Sequence, residues 1–203
     1  MQVDELKNIY ATLMADTVLS DEVFNERYIQ QYHVASYVLC LVLAEKEEAD
    51  KYLKLLRKCL EFIARGFDST GGRANADFSI EPLCLAHYYS DSLEVSQLIE
   101  DFLLKHKTIL EDTIRAHAVD YYLLRFFNLG YYKTKLNNAL NTPVEVSAML
   151  VRVKKSTGAL YDSYTGEKGA PDLAYHCRNL QILTGCYCIL GDDALFELLE
   201  KGF

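Results

Sequence analysis

Apolar residues return at three- and four-residue steps along this chain, and that spacing is what most narrows the folds open to it. Leu53, Leu56, Leu60 and Ile63 fall on one face of a helix beginning near Tyr52, while Lys51, Lys54, Lys58 and Glu61 lie mostly elsewhere around it. Gly66 is the expected stop. The same pattern spans Leu93 to His106, where Leu93, Ser96, Leu98, Phe102 and Leu103 surround an inward stripe and Asp91 is the capping candidate. It returns in Val144 to Val153, with Pro143 in the first turn after the capping candidate Thr142. Only 3 prolines and 10 glycines are available to interrupt helices, and alternating strand patterns bounded by hairpin turns are missing. The expected fold class is all-α.

A second kind of segment is apolar nearly all round. Tyr28 to Leu43, Ile80 to Tyr89, His117 to Phe127 and Leu173 to Leu190 intersperse His, Tyr, Asn and Arg among aliphatic residues, the pattern of helices buried on most sides. Several times over such a segment is followed by an amphipathic one, so the order predicts consecutive helical hairpins with inner and outer members. The chain has 203 residues, 50% of them hydrophobic, and no long Pro/Ser/Gly stretch divides it, so a single helical domain over 1–203 is expected.

An internal echo fits this arrangement. Phe67-Asp68-Ser69, followed by Gly71-Gly72 and Asp77, precedes one buried segment; Tyr161-Asp162-Ser163, followed by Gly166, Gly169 and Asp172, precedes another. The separation corresponds to two periods of about 47 residues, the size of a helix pair in helical repeats, although the intervening stretch from Arg115 to Gly130 lacks the triplet. The loop from Gly158-Ala159-Leu160-Tyr161-Asp162-Ser163 to Pro171-Asp172-Leu173-Ala174-Tyr175-His176 runs into a buried helix that closes on Leu190-Gly191-Asp192-Asp193. In this it resembles the hairpin connections of α/α-toroid proteins, a grouping that includes many glycosidases, polysaccharide lyases and terpenoid cyclases. The resemblance covers the chain from Phe67 onward and rests on no diagnostic motif. It implies inner helices around a cavity. A complete ring needs about twelve helices, whereas helices of mean length would number roughly eight to ten here, so a partial α/α toroid or open arc is expected.

Charge and composition exclude several classes. A net charge of -8 argues against nucleic-acid binding, which needs a basic surface. Asp4 and Glu5 stand where a secretory leader carries basic residues, and the longest apolar run, Val34 to Ala44, is too short to span a bilayer about 30 Å thick. A cytoplasmic location with no membrane partner is therefore expected. Cys40, Cys59, Cys84, Cys177, Cys186 and Cys188 all fall within helical apolar patterns, where a reduced thiol acts as a small hydrophobe.

Inner helices facing a cavity would bring together His33 and Tyr37; His87, Tyr88 and Tyr89; His117, Asp120, Tyr121 and Tyr122; and Tyr175, His176, Arg178 and Asn179. Histidine and tyrosine exchange protons, and Arg and Asn stabilise carboxylates or enolates, which is the equipment of a lyase or hydrolase. The catalytic candidates are His176, Tyr175, His117 and His87; the substrate-binding candidates are Arg178, Asn179, Asp120, Asp162 and Asp68. Tyr175-His176-Cys177-Arg178-Asn179 is the densest group, placed at a helix start capped by Asp172. The loops Asp68 to Phe78 and Tyr161 to Pro171 come next, as long Gly/Asp/Ser-rich connections often frame a binding mouth. The plainer reading of every one of these residues is a hydrogen-bonded core or surface group.

Cys84 with His87, and Cys186 with Cys188, fall short of a four-ligand set at zinc spacing, so no metal and no cofactor is expected. Cys177 with a distant histidine is a nucleophile reading without a specific signal. The tyrosine pairs 88-89, 121-122 and 131-132 should each turn one ring inward and one toward a groove, since neighbours on a helix point about 100° apart. Two functions remain open. One is an enzyme acting on a carbohydrate or other small polar substrate; the other is a non-catalytic scaffold that binds a protein partner or forms a homo-oligomer.

Overall fold

A computed structural model describes residues 30–43, 49–68, 75–111, 119–137, 140, 145 and 173–202. They form seven α-helices and a short 3-10 helix at Lys107–Glu111, with no strand among the described residues. None of these helices is long and apolar enough to cross a membrane. Apart from Glu145, which is exposed and not helical, the expected helix Val144 to Val153 lies outside the described residues, as does the loop Tyr161 to Pro171. The chain falls into two compact units, Met1–Ile109 and Leu110–Phe203.

In the first unit, α1 (Gln31–Leu43) packs against α2 (Ala49–Phe67) and α3 (Ala76–Tyr89), and α3 packs against α4 (Leu93–Lys105). The pairs α1–α2 and α3–α4 join helices adjacent in sequence, whereas α1–α3 does not. Val34, Val38 and Leu41 of α1, Leu56 and Ile63 of α2, Ile80 and Leu83 of α3, and Ile99 and Leu103 of α4 make the core. Burying each such side chain stabilises by about 1.5–3 kcal/mol. The α3 helix is enclosed on several sides, its buried residues including Asp77, Ser79, Glu81 and Cys84 as well as the aliphatics. By contrast α1 buries one broad face and leaves His33, Ser36 and Leu43 exposed.

Two boundaries differ from the sequence reading. Helix α2 continues through Gly66 to Phe67, and Gly66 is buried, because a Cβ there would run into the side chain of Gln31 in α1. The glycine serves close approach rather than termination. Helix α4 is capped by Ser92, whose Oγ accepts from the Val95 amide at 3.4 Å, one position after Asp91. In this helix Val95, Ile99 and Leu103 face inward while Leu93, in its first turn, is 85% exposed.

In the second unit, α5 (Val119–Lys135) packs on α6 (Leu173–Leu190), and α6 on α7 (Asp193–Gly202). Helix α5 runs two turns beyond Phe127, straight through Gly130. Gly130 and Gly185 let the two helices approach closely: a Cβ at Gly185 would stand 2.9 Å from the Phe127 ring, and one at Gly130 3.3 Å from a Leu190 methyl. Helix α6 has the predicted bounds. Gly191 follows it at φ 65° and donates its N–H to the Tyr187 carbonyl at 2.8 Å, a left-handed C-terminal cap. Asp192 then starts α7 by accepting from the Ala194 amide at 2.9 Å, and Leu195, Leu198 and Leu199 of α7 are buried.

Candidate functional site

The first unit holds two imidazoles in contrasting settings. His87, in the last turn of α3, lies with Nε2 3.6 Å from Glu100 Oε2 of α4, its side chain 14% exposed. Burial pulls its pKa below the usual histidine value against the opposing pull of Glu100. At 3.6 Å the contact is electrostatic rather than a well-formed hydrogen bond. His106, which the sequence reading passed over, caps the end of α4 and sits against the rings of Phe102 and Phe67 at 4.6 and 5.6 Å. Its Nε2 is buried without a hydrogen-bond partner, and burial and Lys105 lower its pKa while Asp68 acts the other way. Asp68 itself is exposed and close to α4 electrostatically.

Thiols in this unit are held protonated. Burial pushes Cys59 up to about 12, and burial together with the negative charge of Glu81 and Asp77 raises Cys84 well above its usual value. A thiol so held is a poor nucleophile. All six cysteines are free thiols within helices. Tyr52 is likewise raised by burial, with Tyr37 and Cys59 adding to the effect. His33 is exposed; its Nδ1 accepts from the Gln30 amide at 3.2 Å, a local helix-start contact.

The second unit uses its polar candidates locally. Asp120 is buried and accepts from the Tyr121 amide at 2.9 Å in the first turn of α5. Arg125 is also buried, and its Nη1 donates to the Leu110 carbonyl at 2.9 Å, tying α5 to the 3-10 segment. Arg178 donates to Gln181 Oε1 at 3.1 Å along α6. Asn179 is fully buried on the inward side of α6, whereas His176 is partly exposed. Tyr175 lies in the first turn of α6. His117 and Asp162 fall outside the described residues. Of the named candidates, His87 and Asp68 therefore belong to one unit, and Asp120, Tyr175, His176, Arg178 and Asn179 to the other.

The tyrosine pairs do not divide as expected. Tyr88 and Tyr89 are both exposed, 56% and 54%, and meet edge to face at 5.1 Å. Tyr121 and Tyr122 are both half-buried, and Tyr131 and Tyr132 are both buried. Angular separation on a helix decides direction only; whether that direction meets protein depends on how far the helix is enclosed. At the end of α3 neither direction is covered, and at residues 131–132 of α5 both are. Glu100 and Arg125 also escaped the sequence reading, because their roles arise from the α3–α4 hairpin and the 3-10 segment.

Among the described residues no three His, Cys, Asp or Glu side chains gather in a way that could hold a metal ion. Comparison with known protein families, characterised proteins and solved structures found no match.

Proposed function

We propose that this chain is a non-catalytic helical-hairpin scaffold that engages a protein partner through the α3–α4 end of its first unit. The observation that carries the reading is the cluster at that turn: Tyr88 and Tyr89 close α3, Leu93 opens α4, and all three are more than half exposed. Exposed aromatic residues grouped with an aliphatic side chain are typical anchors of protein interfaces. Supporting it, Asp120, Arg125 and Arg178 make contacts that a structural role accounts for. The expected partial toroid or open arc would suit such a scaffold, since open hairpin arrays present extended surfaces. The proposed setting is the cytoplasm, where free thiols persist.

Site-directed photocrosslinking tests the reading. With Tyr89 replaced by photoreactive benzoylphenylalanine, irradiation in an extract of the cells that make the protein should give a discrete heteromeric adduct. The same probe at exposed Thr184 of α6 should not. No adduct at 89 above the level at 184 would remove the proposal.

A second reading, a toroid-like enzyme acting on a carbohydrate or other small polar substrate, draws on one observation: a half-buried His87 beside Glu100 is a plausible acid-base pair. Turnover or small-ligand binding that survives His87→Ala with Glu100→Gln, at full helicity, would discard it.

A further inference from the structure

We infer that the partner taken by the α3–α4 end is a basic segment carrying apolar anchor residues, a step that rests on the scaffold reading above. Between Ala74 and Leu104 the sequence contains no Lys or Arg, while Asp91, Glu94, Glu100 and Asp101 all lie on the hairpin that carries Tyr88, Tyr89 and Leu93. Asp91 sits in the connection itself, and Glu94 follows Leu93; both are exposed. Glu100 lies beside His87, directly before Tyr88. Asp101, exposed one turn after Gln97, accepts from that side chain at 3.0 Å.

The hairpin end is therefore an apolar and aromatic centre with the exposed carboxylates of Asp91 and Glu94 at its margin, exposed Asp101 about two turns along α4, and no lysine or arginine between Ala74 and Leu104. Tyrosine faces carry negative electrostatic potential and attract Lys and Arg, so the centre and the margin select the same kind of partner. Complementary charge across an interface speeds encounter and rejects partners of the same sign. A second copy of this acidic chain, with net charge -8, would place carboxylates against carboxylates at this face. Nucleic acid and anionic lipid are rejected for the same reason. A protein segment with Lys or Arg flanking Leu or Phe satisfies both features at once.

The test uses the full chain and two fluorescent helical peptides, one built of Leu and Lys and the other of Leu and Glu in the same pattern, with binding read by anisotropy. The Leu/Lys peptide should bind and weaken steeply between low and high salt; the Leu/Glu peptide should not bind. Tyr88→Ala with Tyr89→Ala should weaken binding by about tenfold or more, as loss of interface anchors does. Glu94→Gln with Asp101→Asn should weaken it several-fold and flatten the salt dependence, with circular dichroism confirming the helices of both variants. Absence of Leu/Lys binding, equal binding of the two peptides, or binding indifferent to both variants would overturn the inference. An adduct at position 89 without Leu/Lys binding would overturn the basic-partner inference alone and leave the scaffold standing. No adduct at 89 together with no peptide binding would remove both.

Discussion

Gly185 sits where an added methyl would press on the Phe127 ring at 2.9 Å, and that ring is itself buried, so the neighbour that must yield is rigid. Alanine there gains about 1 kcal/mol of helix propensity but pays an overpacking cost of about 1–3 kcal/mol. Gly185→Ala should therefore lower stability in urea unfolding followed by circular dichroism. At Gly130 the nearest atom is a Leu190 methyl at 3.3 Å, the tip of a flexible side chain. Gly130→Ala should leave stability unchanged or raise it by up to about 1 kcal/mol, and equal losses at both glycines would contradict the close-packing account. His106 gives a pH dependence of definite sign. Its folded pKa lies below the ordinary value of 6.5, so the folded state favours the neutral ring. That contribution is complete above about 6.5 and declines as pH falls below it toward the folded value, because the unfolded chain then binds more protons. Lys105 acts in the same direction and Asp68 against it. His106→Phe should flatten the stability profile between pH 7.5 and 5, and an unaltered slope would assign the dependence to His87 or other groups.

Helix α6 shows how one element can be apolar in composition and still have two sides. Asn179, Leu180, Ile182, Leu183 and Cys186 are buried, while Cys177, Gln181, Thr184 and Cys188 form an exposed stripe. Thiol alkylation reads this directly, since reaction needs both access and thiolate. At pH 7.5 in the folded protein, iodoacetamide should modify Cys177 and Cys188 first, and Cys59, Cys84 and Cys186 only after unfolding. Early labelling of Cys186 beside Cys188 would mean that α6 is rotated from this placement. The all-helical character was legible because 3.6-residue periodicity survives in any environment, although the short Asp193–Gly202 helix and the 3-10 turn went unread; Leu173–Leu190 was readable to the residue, since Gly191 and Asp192 mark its end and the next start. Which face is inward was less legible. The all-round apolar sequence of α6 conceals a one-sided helix, and Leu93, apolar as it is, lies exposed in the first turn of α4.

Across the chain, the candidate site was less readable than the fold, and the reason lies in what pairs with what. Sequence proximity groups His87 with Tyr88 and Tyr89, whereas the charged group beside His87 is Glu100 on the next helix, which no spacing rule identifies. Arg125 meets a carbonyl fifteen residues away in a 3-10 turn that periodicity does not announce. Charge, in contrast, is additive and is read from the sequence without error, and it governs how the molecule behaves in solution. At pH 7 the net charge of -8 keeps copies apart; near the sequence pI of about 5.1 that repulsion vanishes. Over the same descent the depressed pKa values of His87 and His106 withdraw stability, so compactness and repulsion weaken together. Turbidity followed from pH 8 to pH 4 should therefore peak near pH 5, and it should fall again on further acidification as positive charge accumulates. His106→Phe should narrow that peak from its high-pH side, because the imidazole controls part of the stability lost as pH falls below about 6.5. A peak whose position and width ignore the substitution would show that net charge alone sets the aggregation of this chain.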